Sequence, residues 1–305
     1  MSLAIVAMVI LGLNLTTSPL QTASSQNNTA PTNIQREWSA QSESLQSSGL
    51  SQANASDEAH DDVNKGVLAF KAAQFDSAIE YFEKAKKLDP TLINARLYLA
   101  QTYATKYIPG APSDENKRNA QRAIQEWKEV LQIQPDNLTA IDGIGAMLYN
   151  MAGTPFDPKM MQESKTYHDE HMKLRPNDPE PYYWIGVIDY WIAFRANAKL
   201  RADYNEKSTT PIKASEPLPS PIREAFLGEA SADIEEGIDN LNKATALRPE
   251  YANALAYLSL ILRQKGDIEA TAEARERDIK QADTLVQKVK EINQKAISQL
   301  RSQKE

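Results

Sequence analysis

From about residue 61 onward, apolar positions recur at intervals of three and four, the spacing of one helix face. Each run closes on a common phrase. KKLDP ends at Pro90, LQIQP at Pro135, KLRP at Pro176 and ALRP at Pro249, each an apolar residue, a polar one and a proline. A proline there stops a helix, because it brings no N–H and its ring clashes with the preceding turn. A closing phrase that returns four times predicts an internally repeated, all-α chain.

The register inside one repeat is legible in residues 66–90, GVLAFKAAQFDSAIEYFEKAKKLDP. Small residues at Gly66 and Ala78 let two antiparallel helices approach closely. Phe82 fills the gap beside them, and Ala85 admits the next helix. Gly66, Ala78, Phe82, Ala85 and Pro90 resemble the spaced small and aromatic positions of the tetratricopeptide repeat family. The resemblance covers roughly residues 61–275. Later repeats keep the spacing with other side chains. Leu99, Ala100 and Tyr103 precede Ala123, Trp127 and Val130. Ile144, Gly145 and Leu148 precede Ser164, His168 and His171. Ile185 and Gly186 precede Gly237, Leu241 and Ala244, and a fifth half opens at Leu255, Leu258 and Leu262. The resemblance implies a right-handed α-solenoid of helix-turn-helix repeats, about four and a half of them, over residues 59–266.

The closing prolines stand 45, 41 and 73 residues apart, against roughly 34 for this repeat. The excess falls between the two helices of a unit, at residues 107–117, 152–159 and 199–228. These long inter-helix insertions are expected along one edge, where inserted loops often form a binding rim. After Gly266 and Asp267, a long polar helix over 267–305 carries one apolar stripe, Ala282, Val286, Val289, Ile292 and Ala296. A terminal helix with a polar outer face closes an exposed solenoid core. Self-association through it as a short coiled coil is the alternative.

The amino-terminal end departs from this pattern. Residues 3–13 are an apolar run, too short for a bilayer, which needs about 20 residues. Its length suits a signal-peptide core over residues 1–23, although no Lys or Arg precedes it. Export to a periplasmic or extracellular space is expected; without a working signal the chain stays cytoplasmic. Membrane contact is expected at most through this segment. Residues 24–58 are rich in Ser, Gln and Asn, and read as a disordered tether.

Composition narrows the chemistry. The 305 residues include no Cys and carry a net charge of −7. The acidic balance disfavours phosphate backbones, so no nucleic-acid partner is expected. Without cysteine there is neither a disulfide nor a thiolate metal site. GxSxG, GxxxxGK[ST] and HExxH are absent from the sequence, so neither an enzyme nor a cofactor is expected. KTYHDEHMKLRP, residues 165–176, offers His168 and His171 on one helix face, yet zinc needs three or four ligands. In register they replace Phe82 and Ala85, which makes them packing residues. A polar contact inside the solenoid is expected of them, with the aromatic helix that follows as one candidate partner.

That next helix, PEPYYWIGVIDYWIAFR, is the richest segment. In the family, the first helix of each repeat lines the concave face. This implies a groove holding Tyr183, Val187, Tyr190, Trp191 and Tyr257, with polar contacts from Asn94, Gln101, Asp142, Asn150 and Asn253. Aromatics with polar tips supply much interface energy. Some relatives clamp a carboxylate tail with groove cations, and here the matching positions are Val63, Val67, Leu97, Gln101, Asp142 and Ala146. Without those cations, an extended or helical peptide of other chemistry is the expected partner. The function read from the chain is a non-enzymatic interaction scaffold. The alternative is a small-molecule-binding protein with residues 199–228 as a lid over the aromatics.

Overall fold

The computed structural model describes residues 53–302, which form ten helices and no strand. The expected signal segment lies outside the described residues, as does the tether up to residue 52. The helices are α1 (Ala53–Lys71), α2 (Phe75–Leu88), α3 (Ile93–Lys106), α4 (Asp114–Ile133), α5 (Leu138–Ala152), α6 (Pro158–Leu174), α7 (Pro179–Lys207), α8 (Ser220–Leu247), α9 (Ala252–Ile268) and α10 (Ala272–Ser302). Thus α1 starts inside the stretch expected as tether. The described residues form two compact units, one ending at Leu174 and the other beginning at Arg175. The first stacks three antiparallel pairs, α1–α2, α3–α4 and α5–α6. The second contains two, α7–α8 and α9–α10.

The four closing prolines build four copies of one turn. Pro90, Pro135, Pro176 and Pro249 each stand two residues past a helix end. The residue before a proline is pushed out of helical geometry by the proline ring. Asp89, Gln134 and Arg248 accordingly have φ of −131°, −134° and −134°. Each donates its N–H to the helix carbonyl four residues back, at Ala85, Val130 and Ala244. The carbonyls of Asp89, Gln134, Arg175 and Arg248 then accept from the N–H three residues on, at 3.0–3.2 Å. These are β-turns with proline at the second position. Asn137 and Asp178 cap the following helices by accepting from Ala140 and Glu180.

Within pairs, a side chain of the second helix sits where the first has no Cβ. A Cβ on Gly66 would stand 2.4 Å from Phe82 Cε1, and one on Gly186 would stand 2.4 Å from Leu241 Cγ. Phe82 is fully buried, worth about 1.5–3 kcal/mol for a side chain of this size. In the second pair Ala100 stands at this position, and Trp127 lies instead over Gly143 of the next pair. The core of the first unit joins Phe82, Leu99, Trp127 and Ile144.

The last helix is the second member of a fifth pair. Ala282, Val286 and Val289 keep the spacing of Ala78, Phe82 and Ala85. Val289 packs with Leu255 and Ala256 of α9, joined by Val286 and Ile292. Ala296, placed in the same stripe from sequence, is exposed.

The insertions are shorter as loops than expected, because their ends are helical. Loops span residues 107–113 and 153–157, and the longest, 208–219, is flanked by the extended α7 and α8. In the first unit the two loops share an edge: Gly110, at φ 78°, lies against Thr154. Buried Asn116 pins the former by donating to the Ile108 and Ala111 carbonyls and accepting from Ile108 N–H.

Candidate helix-face site

The site residues expected from sequence fall into two sets, one in each unit. In the first unit α3 touches both α1 and α5, so the first helices of three pairs lie side by side. Asn94 and Gln101 on α3 and Asn150 on α5 are half-buried. Val67 of α1 and Leu97 of α3 lie on the core beneath, themselves only partly covered. Gln101 donates to Thr105 Oγ1 at 3.4 Å, along its own helix. Three half-buried amides and two partly covered apolar side chains thus stand on these adjacent helices, with the Asp142 carboxylate on α5.

Asp142 has a second task. One carboxylate oxygen lies 2.7 Å from His171 Nδ1 while its side chain keeps 35% exposure. The polar contact expected of the histidines inside the solenoid is met here by His171, to α5 of its own pair. His168 sits in the seat that Phe82 holds in the first pair, with Cε1 and Nε2 3.0 Å from where a Gly145 Cβ would be. Ser164, at the Ala78 position, donates to the Gly145 carbonyl at 2.7 Å. No group of three or more His, Asp or Glu able to hold a metal ion is found among the described residues.

In the second unit the aromatic residues form a packed cluster. Tyr183 lies 5.0 Å from Tyr251 and 5.9 Å from Tyr257, ring centre to ring centre. Tyr190 lies 5.6 Å from Tyr257 and 5.3 Å from Trp191, with Phe194 next to both. Tyr183, Val187, Tyr190, Trp191 and Tyr257 are all buried, whereas Asn253 is exposed. Sequence reasoning put all five in an open groove; edge-to-face packing between α7 and α9 puts them in the core instead. Burial holds the Tyr190 phenol far above its ordinary range, with Tyr257 adding to it. It pushes Tyr257 up to about 12. These hydroxyls stay neutral at any physiological pH.

Two groups here went unnoticed in the sequence. Glu180 accepts from Arg248 and from the Tyr251 hydroxyl, both at 2.7 Å, tying α7 to the turn before α9. A buried polar clamp lies further along α7. Asn197 Nδ2 donates to Gln264 Oε1 and Asp267 Oδ2, both at 2.9 Å. Arg201 donates to Asn197 Oδ1 at 2.7 Å, to Asp267 Oδ2 at 2.8 Å and to the Lys213 carbonyl at 3.1 Å. Arg275 donates to the Ser215 carbonyl, and Asn205 exchanges two hydrogen bonds with Ile212. The segment expected as a lid is therefore mostly helix, and its loop is held down from two helices, α7 and α10. Asp267, noted in the sequence only as preceding the last helix, is the anchor of the clamp.

The profile of the tetratricopeptide repeat matches residues 63–92, which are the second half of α1, α2 and the first proline turn. This segment is similar to a tetratricopeptide repeat. The tetratricopeptide pairing of Gly66 with Phe82 recurs as Gly145 with His168 and Gly186 with Leu241. No curated protein matches the sequence. Among solved structures, MamA residues 41 to the end from Desulfovibrio magneticus RS-1 is 16% identical with a TM-score of 0.51. The match covers 79% of this chain and 98% of that one. The MamA RS-1 ArsTM double mutant gives 16% and 0.52, covering 80% and 99%. YrrB, described as a tetratricopeptide protein with an unusual peptide-binding site, gives 14% and 0.46, covering 80% and 91%. At these identities the likeness is one of fold.

Proposed function

We propose that the chain is a non-enzymatic protein-interaction scaffold, and that it takes a partner peptide or helix on the α3–α5 face of its first unit. One observation supports this reading. Asn94, Gln101 and Asn150 are half-exposed and Val67 and Leu97 only partly covered, on three helices of which α3 touches both others. Amides above an apolar floor can bond a backbone or polar side chain while the floor takes an apolar one. The face carries no lysine or arginine among these residues, so a carboxylate tail is not its natural ligand. The aromatic set of the second unit, being buried, acts in this reading as core rather than as contact surface.

The test is site-specific photo-crosslinking in the native host. A photoreactive residue at Gln101 or Asn150 is expected to trap one and the same partner. The same residue at exposed Lys128, on the second helix of its pair, is expected to trap none. Equal trapping at all three positions, or at Lys128 alone, would sink the proposal.

A further inference from the structure

We infer that copies of this chain join head to tail, the far end of α10 on one copy lying antiparallel on the start of α8 of the next. The inference goes beyond the scaffold reading and does not rest on it. It begins at an unfilled socket. Gly66, Gly143, Gly145, Gly186, Gly237 and Gly266 lie in helices, and a Cβ on any of them would stand within 3.4 Å of a neighbouring side chain. A Cβ on Gly228, in α8, would meet nothing within 4 Å. Glycine weakens a helix interior, and here no side chain of the same copy is seated on it. Leu227 beside it is 43% exposed.

The matching knob is on α10. That helix runs antiparallel to α9: Arg275 lies on Gly266, Val289 packs with Leu255 and Ala256, and Lys295 reaches Glu250 at 2.7 Å. Glu250 precedes α9, so beyond Lys295 the helix runs past the start of its partner. Ile297 stands there, 52% exposed. Residues four and seven apart share a helix face. Around Gly228 those positions are Glu224, four before, and Glu235, seven after, both exposed. Around Ile297 they are exposed Lys290, seven before, and the arginine at position 301, four after. With Ile297 laid over Gly228, antiparallel helices set position 290 against Glu235 and position 301 against Glu224. Each carboxylate then faces a cation, while the knob meets bare backbone at close helix-packing distance.

One copy cannot close this contact on itself. Arg223 donates to the Ala270 carbonyl, which places the start of α8 at the α9–α10 turn. From Ala272 to Ile297 the helix runs about 37 Å the other way, at 1.5 Å per residue. A second copy must supply the knob. The two surfaces differ, so each added copy leaves one of each free, and the assembly grows past a dimer unless it closes into a ring.

Mass in solution tests this, by light scattering on the full chain at rising concentration and low ionic strength, where exposed ion pairs are least screened. The wild type is expected to exceed the mass of a dimer and to fall back as salt is added. Gly228→Gln, which fills the socket, and Ile297→Glu, which removes the knob, should each be monomeric. Mixed one to one, they should form a dimer and stop there, since each keeps the half that the other lacks. Should either variant fail to fold, the charges decide: Lys290→Glu and Glu235→Lys should each weaken association several-fold, and the two together should restore it. A wild type that stays monomeric at every soluble concentration, association that survives both Gly228→Gln and Ile297→Glu, a mixture that stays monomeric, or charge changes without mutual rescue overturns the proposal.

Discussion

Phe82 and His168 occupy the same seat in two pairs of the first unit, and the two seats differ in strength. Both side chains are buried against a glycine, four residues after a small residue, but three residues on stands Ala85 in one case and His171 in the other. Phe82 meets its glycine so closely that a Cβ would stand 2.4 Å away, whereas His168 leaves 3.0 Å. The first seat is filled by apolar surface alone. The second holds a ring that carries a proton-binding site, beside a His171–Asp142 bond. One backbone register thus supports an inert joint and a titratable one.

The largest effect expected from breaking the comparison is at the inert joint. Phe82→Ala should cost about 3–5 kcal/mol by denaturant unfolding, and His168→Ala clearly less. Next comes the polar clamp of the second unit. Arg201→Ala leaves the buried Asp267 carboxylate short of a partner and should cost about 3 kcal/mol. Limited proteolysis should then cut within residues 208–219 faster. The pH comparison follows. Between pH 7.5 and 5 the wild type should lose about 2 kcal/mol more than His168→Phe, since burial holds the His168 imidazole down to about 3 and a depressed histidine removes stability as pH falls below its ordinary 6.5. Smallest is the added methyl. Gly66→Ala should cost about 2 kcal/mol and Gly145→Ala about 1 kcal/mol, in the order of the two clearances.

Much of the fold was legible because a few positions dictate it. Each proline fixes the backbone of the residue before it, so LDP, IQP and LRP could be read as one turn. Gly66, Phe82 and Ala85 announced a close helix crossing. The fifth pair was harder: its second helix is so polar that Ala282, Val286 and Val289 resembled a closing stripe. Their spacing was the signal that placed them in register. The site was less legible. Period alone puts Tyr183, Tyr190 and Trp191 on one helix face, but it does not say whether α9 covers that face. Tyr251 and Tyr257 do cover it, from about 70 residues away in the chain. Such cross-chain packing leaves little local mark. The clamp of Asn197, Arg201, Gln264 and Asp267 is of the same kind, since no single stretch holds more than two of its members.

The central claim is that the aromatics of the second unit are core and the amide face of the first is open. Hydroxyl-radical footprinting of the full chain, read by mass spectrometry, tests it most directly. Tyr190, Trp191 and Tyr257 should be oxidised many-fold more slowly than half-buried Tyr182 and Trp184, and partner binding should leave them unchanged while protecting Leu97. Rapid oxidation of Tyr190 and Trp191 in the free protein, suppressed by the partner, would contradict the account and return the aromatic face to the role of a groove.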